Sequence, residues 1–231
     1  MVYDRTIDGQ EYTFGVSGKL IRNVLVMFDH ETDSLWSQLL GQAVDGPMAG
    51  TKLQPLPAVQ TTWAQWKSLH PDTLALVTGG PVYDSYDGYY TSGQAGVIGE
   101  TFSDTRLPRK ELVHGVLVEG QPVAYPFSEL RTQRAVNDTV NGIPILVLFH
   151  VETATALAFH RTVADQVLTF APSPDDSLIF VDHETGSRWM ALTGAAIGGP
   201  LKGKRLARIP GTSSFWFGWK DFYTNTLVYG R

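Results

Sequence analysis

The octapeptide DHETDSLW at residues 29–36 returns as DHETGSRW at residues 182–189, a spacing of 153. Carried outward at that spacing without a gap, Leu39, Gly41, Gly46, Pro47, Gly50, Leu53, Pro57, Trp63, Trp66 and Lys67 meet Leu192, Gly194, Gly199, Pro200, Gly203, Leu206, Pro210, Trp216, Trp219 and Lys220. Upstream the match resumes at a spacing of 156, where Arg5-Thr6 and Thr13-Phe14 meet Arg161-Thr162 and Thr169-Phe170. An internal repeat takes precedence over every other reading of a fold. The β-branched, apolar runs Leu20–Phe28 and Leu178–Val181 each lead into a DHET, so a strand, a turn and a second strand are expected around both. The matched glycines and prolines that follow mark successive tight turns, because glycine reaches positive φ and proline holds φ near −65°.

Outside the repeat the local signals are equally specific. Glu119-Gly120 and Asn141-Gly142 predict hairpin turns within 113–124 and between 136–140 and 143–149, with a helical turn over 127–131. Thr62 and Gln65 form a capping box for a short helix that carries Trp63 and Trp66 and ends before Pro71; its copy starts at Ser213 or Ser214. Segment 80–112, introduced by Gly79-Gly80-Pro81 and holding Tyr83, Tyr86, Tyr89 and Tyr90, has no helical period and reads as an ordered aromatic connector. The expected fold is mainly β, a β-rich α+β arrangement of two homologous halves, each like a small barrel or sandwich with a short helix, packed as one compact unit. The expected division is a first repeat over 1–79, a Gly-rich connector over 80–112, a β-rich block over 113–158 and a second repeat over 159–231. Only the second repeat is preceded by a β-rich block. Either that block serves both repeats, or the natural protein begins earlier than Met1.

Composition narrows the function classes. With 18% charged and 43% apolar residues the chain is no disordered tail, and a net charge of −5 gives no electrostatic reason to expect nucleic acid as a partner. The absence of cysteine excludes thiol nucleophiles, disulfides and Cys-ligated zinc. No apolar run is long enough for a transmembrane helix, and the first residues lack the basic and apolar regions of a secretory leader. No organic cofactor motif is present. The compartment and the small-molecule or protein partner stay open.

The strings TFGVSGKL at 13–20, VMFDHETDSLW at 26–36, YPFSEL at 125–130 and VNDTVNGIP at 136–144, with the second DHETGSRW, resemble the bacterial and archaeal family catalogued as domain of unknown function 3179. The resemblance spans nearly the whole chain and brings no activity with it. It implies that many relatives are exported. Relatives commonly carry a Tyr-Cys-Pro-Leu-Thr-Gly-Thr-Ala-like string where this chain has Phe149-His150-Val151-Glu152-Thr153-Ala154-Thr155-Ala156. His150 thus occupies the cysteine position and Ala154 the turn glycine.

Each DHET offers a carboxylate, an imidazole and a second carboxylate, which makes Asp29, His30, Asp182 and His183 candidates for general acid–base chemistry. The same spacing is also a common hairpin device, with Asp and Thr capping the turn backbone. His30, His150 and His183 are candidate metal ligands should the repeats converge. Tyr125, Asn137 and Asp138 are candidate ligand-binding residues, set against the plainer reading of Asn137-Asp138 as turn formers. Trp36 and Trp189, with Trp63, Trp66, Trp216 and Trp219, are either stacking platforms for a ring-bearing ligand or two duplicated cores. Gly15-Val16-Ser17-Gly18 lacks the second glycine and the helix of a nucleophile elbow. Two function classes follow. The favoured one is a non-catalytic ligand-binding or scaffold module with an internal duplication; the alternative is a hydrolase or metal-dependent enzyme with its site between the two repeats.

Overall fold

The computed structural model describes residues 1–75, 77 and 86–231. The Gly79-Gly80-Pro81 opening of the connector and Tyr83 lie outside the described residues. The fold is mainly β, with 41% strand and 11% helix in several small sheets.

Two four-stranded meanders carry the DHET turns. The first is ordered Phe14–Ile21, Val24–Asp29, Leu35–Ser37, Gln42–Asp45, and the second Phe170–Pro172, Ile179–Asp182, Arg188–Met190, Ala195–Gly198, all neighbours antiparallel. Both meanders have a register shift at the same place, Leu35/Trp36 in one and Arg188/Trp189 in the other. The tight turns behind them use glycine as required. Gly46 and Gly199 sit at φ 89° and 86°, with the backbone of Ser34 and Ser187 so near that any Cβ would collide with it.

Two further four-stranded sheets complete the fold. The central sheet is ordered Ala135–Val140, Ile143–His150, Thr155–His160, Arg208–Ile209; the outer sheet is ordered Gly211–Phe215, Leu112–Val118, Gln121–Pro126, Leu227–Val228, its last pair parallel. Both hairpin turns predicted at Glu119-Gly120 and Asn141-Gly142 are formed. The run Ile143–His150 is apolar almost throughout because the central sheet is buried on both faces. Ile145, Val147 and Phe149 meet Val116, Val123 and Tyr125 of the outer sheet, whereas Leu146 and Leu148 meet Phe170, Phe180 and Trp189 of the second meander. The first meander has a smaller core of its own around Trp36, Tyr12 and Leu53.

Two expectations need correction. No sheet closes into a barrel among the described residues: four strands are too few to wrap around a filled interior, so the sheets stay open and bury their faces by stacking. The connector, in which no helical period was expected, contains one short helix, Asp87–Thr91.

The helices also differ from the expectation of two tryptophan cores. Trp63–Leu69 is capped by Thr62 as predicted, yet none of its residues is buried, and Trp63 and Trp66 are 50% and 36% exposed. Its counterpart Trp216–Phe222 is almost wholly buried, with Trp216 and Trp219 on Val113 and Ala124 of the outer sheet. Gly115 makes this possible, since a Cβ there would come within 2.2 Å of the Trp219 ring.

His114, on the outer sheet, has a buried Nε2 with no hydrogen-bond partner among the described residues. Burial pulls its pKa down from 6.5 to about 4. Above pH 6.5 the ring is neutral whether the chain is folded or not. As the pH falls from 6.5 to 4 the unfolded chain takes up the proton first, so stability is lost through that window, by up to about 3 kcal/mol. Urea midpoints measured between pH 7.5 and 4.5 should therefore fall less steeply for His114→Asn than for the wild type; parallel slopes would refute this account.

Candidate functional site

The Asp and Thr side chains of each DHET bond within the turn. Buried Asp29 accepts from Thr32 N at 2.5 Å, Thr32 Oγ1 at 2.7 Å and Trp36 Nε1 at 2.7 Å, while the Ser34 hydroxyl contacts Thr32 Oγ1 and accepts from Met48 N. Asp182 repeats the arrangement with Thr185 N at 2.6 Å, Thr185 Oγ1 at 2.8 Å and Trp189 Nε1 at 2.8 Å, and Ser187 with Thr185 and Leu201 N. Burial works against the Asp29 charge, but the bonds from Trp36 and Thr32 prevail and hold its pKa below the usual carboxylate value. Glu31 and Glu184 accept from the backbone N–H of Thr13 and Thr169, tying each turn to the preceding strand.

His30 and His183 point outward and are exposed, His30 with its ring against Phe28. His150 is buried at the end of a central-sheet strand. Among the described residues no group of three or more His, Cys, Asp or Glu is placed to hold a metal ion. Ala154, in the turn after that strand, has φ 50°.

Tyr125 and Asp138 are brought together, the phenol donating to Asp138 Oδ2 at 2.8 Å; burial, and then that carboxylate, raise the Tyr125 pKa. Asn137 does not join them. Its amide donates to Phe170 O at 2.9 Å and accepts from Phe170 N at 2.8 Å, so it fastens the central sheet to the second meander. Trp36 and Trp189 are buried beneath the DHET turns.

What sequence reasoning missed is a pair of clefts. In the first, Leu39, Leu40, Lys52, Leu53 and Pro55 face Pro210, Gly211, Thr212, Trp219 and Tyr223, with Gly115 and Leu117 between, around about 230 Å³. In the second, Leu192, Thr193, Arg205, Leu206 and Arg208 face Pro57, Ala58, Val59, Trp66 and His70, around about 670 Å³. Every residue in these two sets of ten has its partner 153 positions away in the other set. Each cleft therefore joins the turns behind one meander to the short helix that follows the other. In both, the helix supplies a tilted ring pair: Trp219 and Tyr223 with centroids 4.3 Å apart, Trp66 and His70 at 4.2 Å.

The clefts differ in charge and openness. Trp219 is buried, so the first is narrow. In the second, Trp66 is exposed, and Arg205 and Arg208 stand where the first has Lys52 and Pro55. Among the described residues no carboxylate lines the second cleft. Burial, then the neighbouring Arg205 charge, disfavour the Arg208 cation, and an anion bound there would counter the Arg205 repulsion. The sequence signal for this site was present in the Trp66/Trp219 match, but the match does not say which half each helix packs against.

These features define a mainly β protein with two four-stranded meanders, two further sheets and two matched clefts. The chain belongs to the family described as protein of unknown function (DUF3179), which it matches over residues 1–226. No curated protein and no solved structure matches it. No helix among the described residues is long and apolar enough to cross a membrane.

Proposed function

We propose that this protein is a ligand-binding module built from an internal duplication, and that the second cleft takes a small planar ring, aromatic or sugar, bearing a carboxylate or phosphate. The observation that carries this reading is the correspondence of the clefts, because a duplicated half explains why ten lining positions recur at one spacing on two different surfaces. The volume of about 670 Å³ lies in the range of small-molecule sites. Trp66 with His70 offers a stacking face, Arg205 and Arg208 offer charge, and Leu69, Leu192 and Leu206 form an apolar floor. In the first cleft the same design is closed by Trp219 lying on Gly115, leaving space for a smaller group.

Titration with benzoate, a sugar phosphate and a nucleoside monophosphate, followed by tryptophan fluorescence, tests the proposal. At least one probe is expected to bind saturably, with binding lost in Trp66→Ala and weakened about tenfold in Arg205→Ala, the loss of about 1.4 kcal/mol that one charge-assisted contact supplies. The reading fails if none of the three binds, or if Trp66→Ala binds as well as the wild type.

A further inference from the structure

We propose that the first cleft binds an unbranched aliphatic carboxylate of about eight carbons, its chain between the two repeats and its head group on Lys52. Leu39, Leu40 and Leu53 form one wall and Pro210, Trp219 and Tyr223 the other, with Leu117 between. A methylene takes up nearly as much room as a water molecule, about 30 Å³, so a cleft of about 230 Å³ accommodates a chain of about eight carbons. Four apolar lining residues, Val2, Leu40, Leu56 and Leu117, are exposed to water, and an alkyl chain laid along them removes that contact.

The walls have few polar groups left to offer. Tyr3 Oη donates to Gln38 O at 2.7 Å, and Trp219 Nε1 donates to Thr226 Oγ1 at 2.9 Å. Trp219 is also only 2% exposed, engaged by Tyr223 and by Gly115, so it presents no open aromatic face for stacking. In the second cleft the matching Trp66 is exposed. That difference selects a flexible chain over a planar ring in the first.

Lys52 supplies the charge. Its ammonium makes no ion pair or hydrogen bond among the described residues, and no Asp or Glu among them lines the cleft. A carboxylate is therefore drawn to it, whereas an aliphatic cation meets only repulsion. The Tyr223 hydroxyl, likewise without a hydrogen-bond partner among the described residues, is a second donor in the cleft, and burial raises its pKa so that it keeps its proton. The inference concerns a different cleft from the ring-binding reading and does not need it, so Trp66→Ala should leave it untouched.

The test is calorimetric titration of the full chain with hexanoate, octanoate and 1-octanol, each kept below the concentration at which it self-associates. Octanoate is expected to bind saturably and about fifteenfold more tightly than hexanoate, because each of the two further buried methylenes is worth about 0.8 kcal/mol. It should also bind about tenfold more tightly than octanol, the effect of one charge-assisted contact. Lys52→Met, which breaks no contact among the described residues, should bring octanoate down to the affinity of octanol. Thr212→Phe, which fills the cleft from the Gly211–Phe215 strand, should abolish binding of both. Urea midpoints establish that each variant is folded; should Thr212→Phe not fold, Lys52→Met decides alone. Octanoate that does not bind, that binds no tighter than hexanoate, or that keeps its advantage over octanol in Lys52→Met overturns the proposal. Undiminished binding to folded Thr212→Phe, or binding lost in Arg205→Ala, does the same by placing the chain elsewhere.

Discussion

Asp182→Ala is expected to lower folding stability by about 4 kcal/mol, whereas His183→Ala, one residue further, should change it by less than about 0.5 kcal/mol. The Asp182 carboxylate is fully buried and accepts from Thr185 N, Thr185 Oγ1 and Trp189 Nε1. Removing it strands the indole N–H of a tryptophan that is 1% exposed in the core shared with the central sheet. It also releases Thr185, which holds Ser187 and through it Leu201 N. Each buried donor left unsatisfied costs about 1–3 kcal/mol, and the losses fall on one connected network. His183 is exposed and, among the described residues, only its backbone is engaged, donating to Thr169 O at 2.8 Å. Urea unfolding of the two variants checks the contrast. Comparable losses in both would mean that the imidazole does structural work the geometry does not show.

Asp221→Ala should cost about 3–5 kcal/mol, and Lys220→Met less than about 2 kcal/mol, although the two side chains contact each other. Both are almost completely buried at the end of the Trp216–Phe222 helix. Asp221 accepts from Thr101 N at 2.7 Å and Phe102 N at 3.0 Å as well as from Lys220 at 3.2 Å, and so fastens the connector to the helix. Without it, two backbone donors and part of the Lys220 charge are left buried. Without Lys220, Asp221 keeps both backbone bonds, and Glu100 keeps Arg109 at 2.6 Å. Guanidinium or urea midpoints rank the variants; equal losses would show that the ion pair, and not the backbone donors, carries the contact.

The parts of the fold that were legible in advance are those whose causes lie within a few residues. The DHET turn is closed by side chains three to seven positions away, the helix cap at Thr62 accepts from Gln65 N, and the Asn141-Gly142 hairpin needs only positive φ at its two turn residues. Hence turns, strand pairs and helix starts could be placed from local chemistry alone. The candidate residues fared differently. Asn137 and Asp138 are neighbours in sequence but face opposite sides of a strand, so one staples two sheets and the other meets Tyr125.

By itself the sequence determined that two similar segments would build similar turns, since matched Gly, Pro, Asp and Thr impose the same backbone wherever they recur. Only the tertiary structure decided that each short helix packs beside the other segment's turns, that Trp219 is buried while the matching Trp66 stays exposed, and that His150 meets Ser177. The physical reason is range. Backbone preference and hydrogen bonds within a turn are settled by neighbours in the chain, whereas burial and side-chain encounter depend on which surfaces are left to cover once those turns have formed.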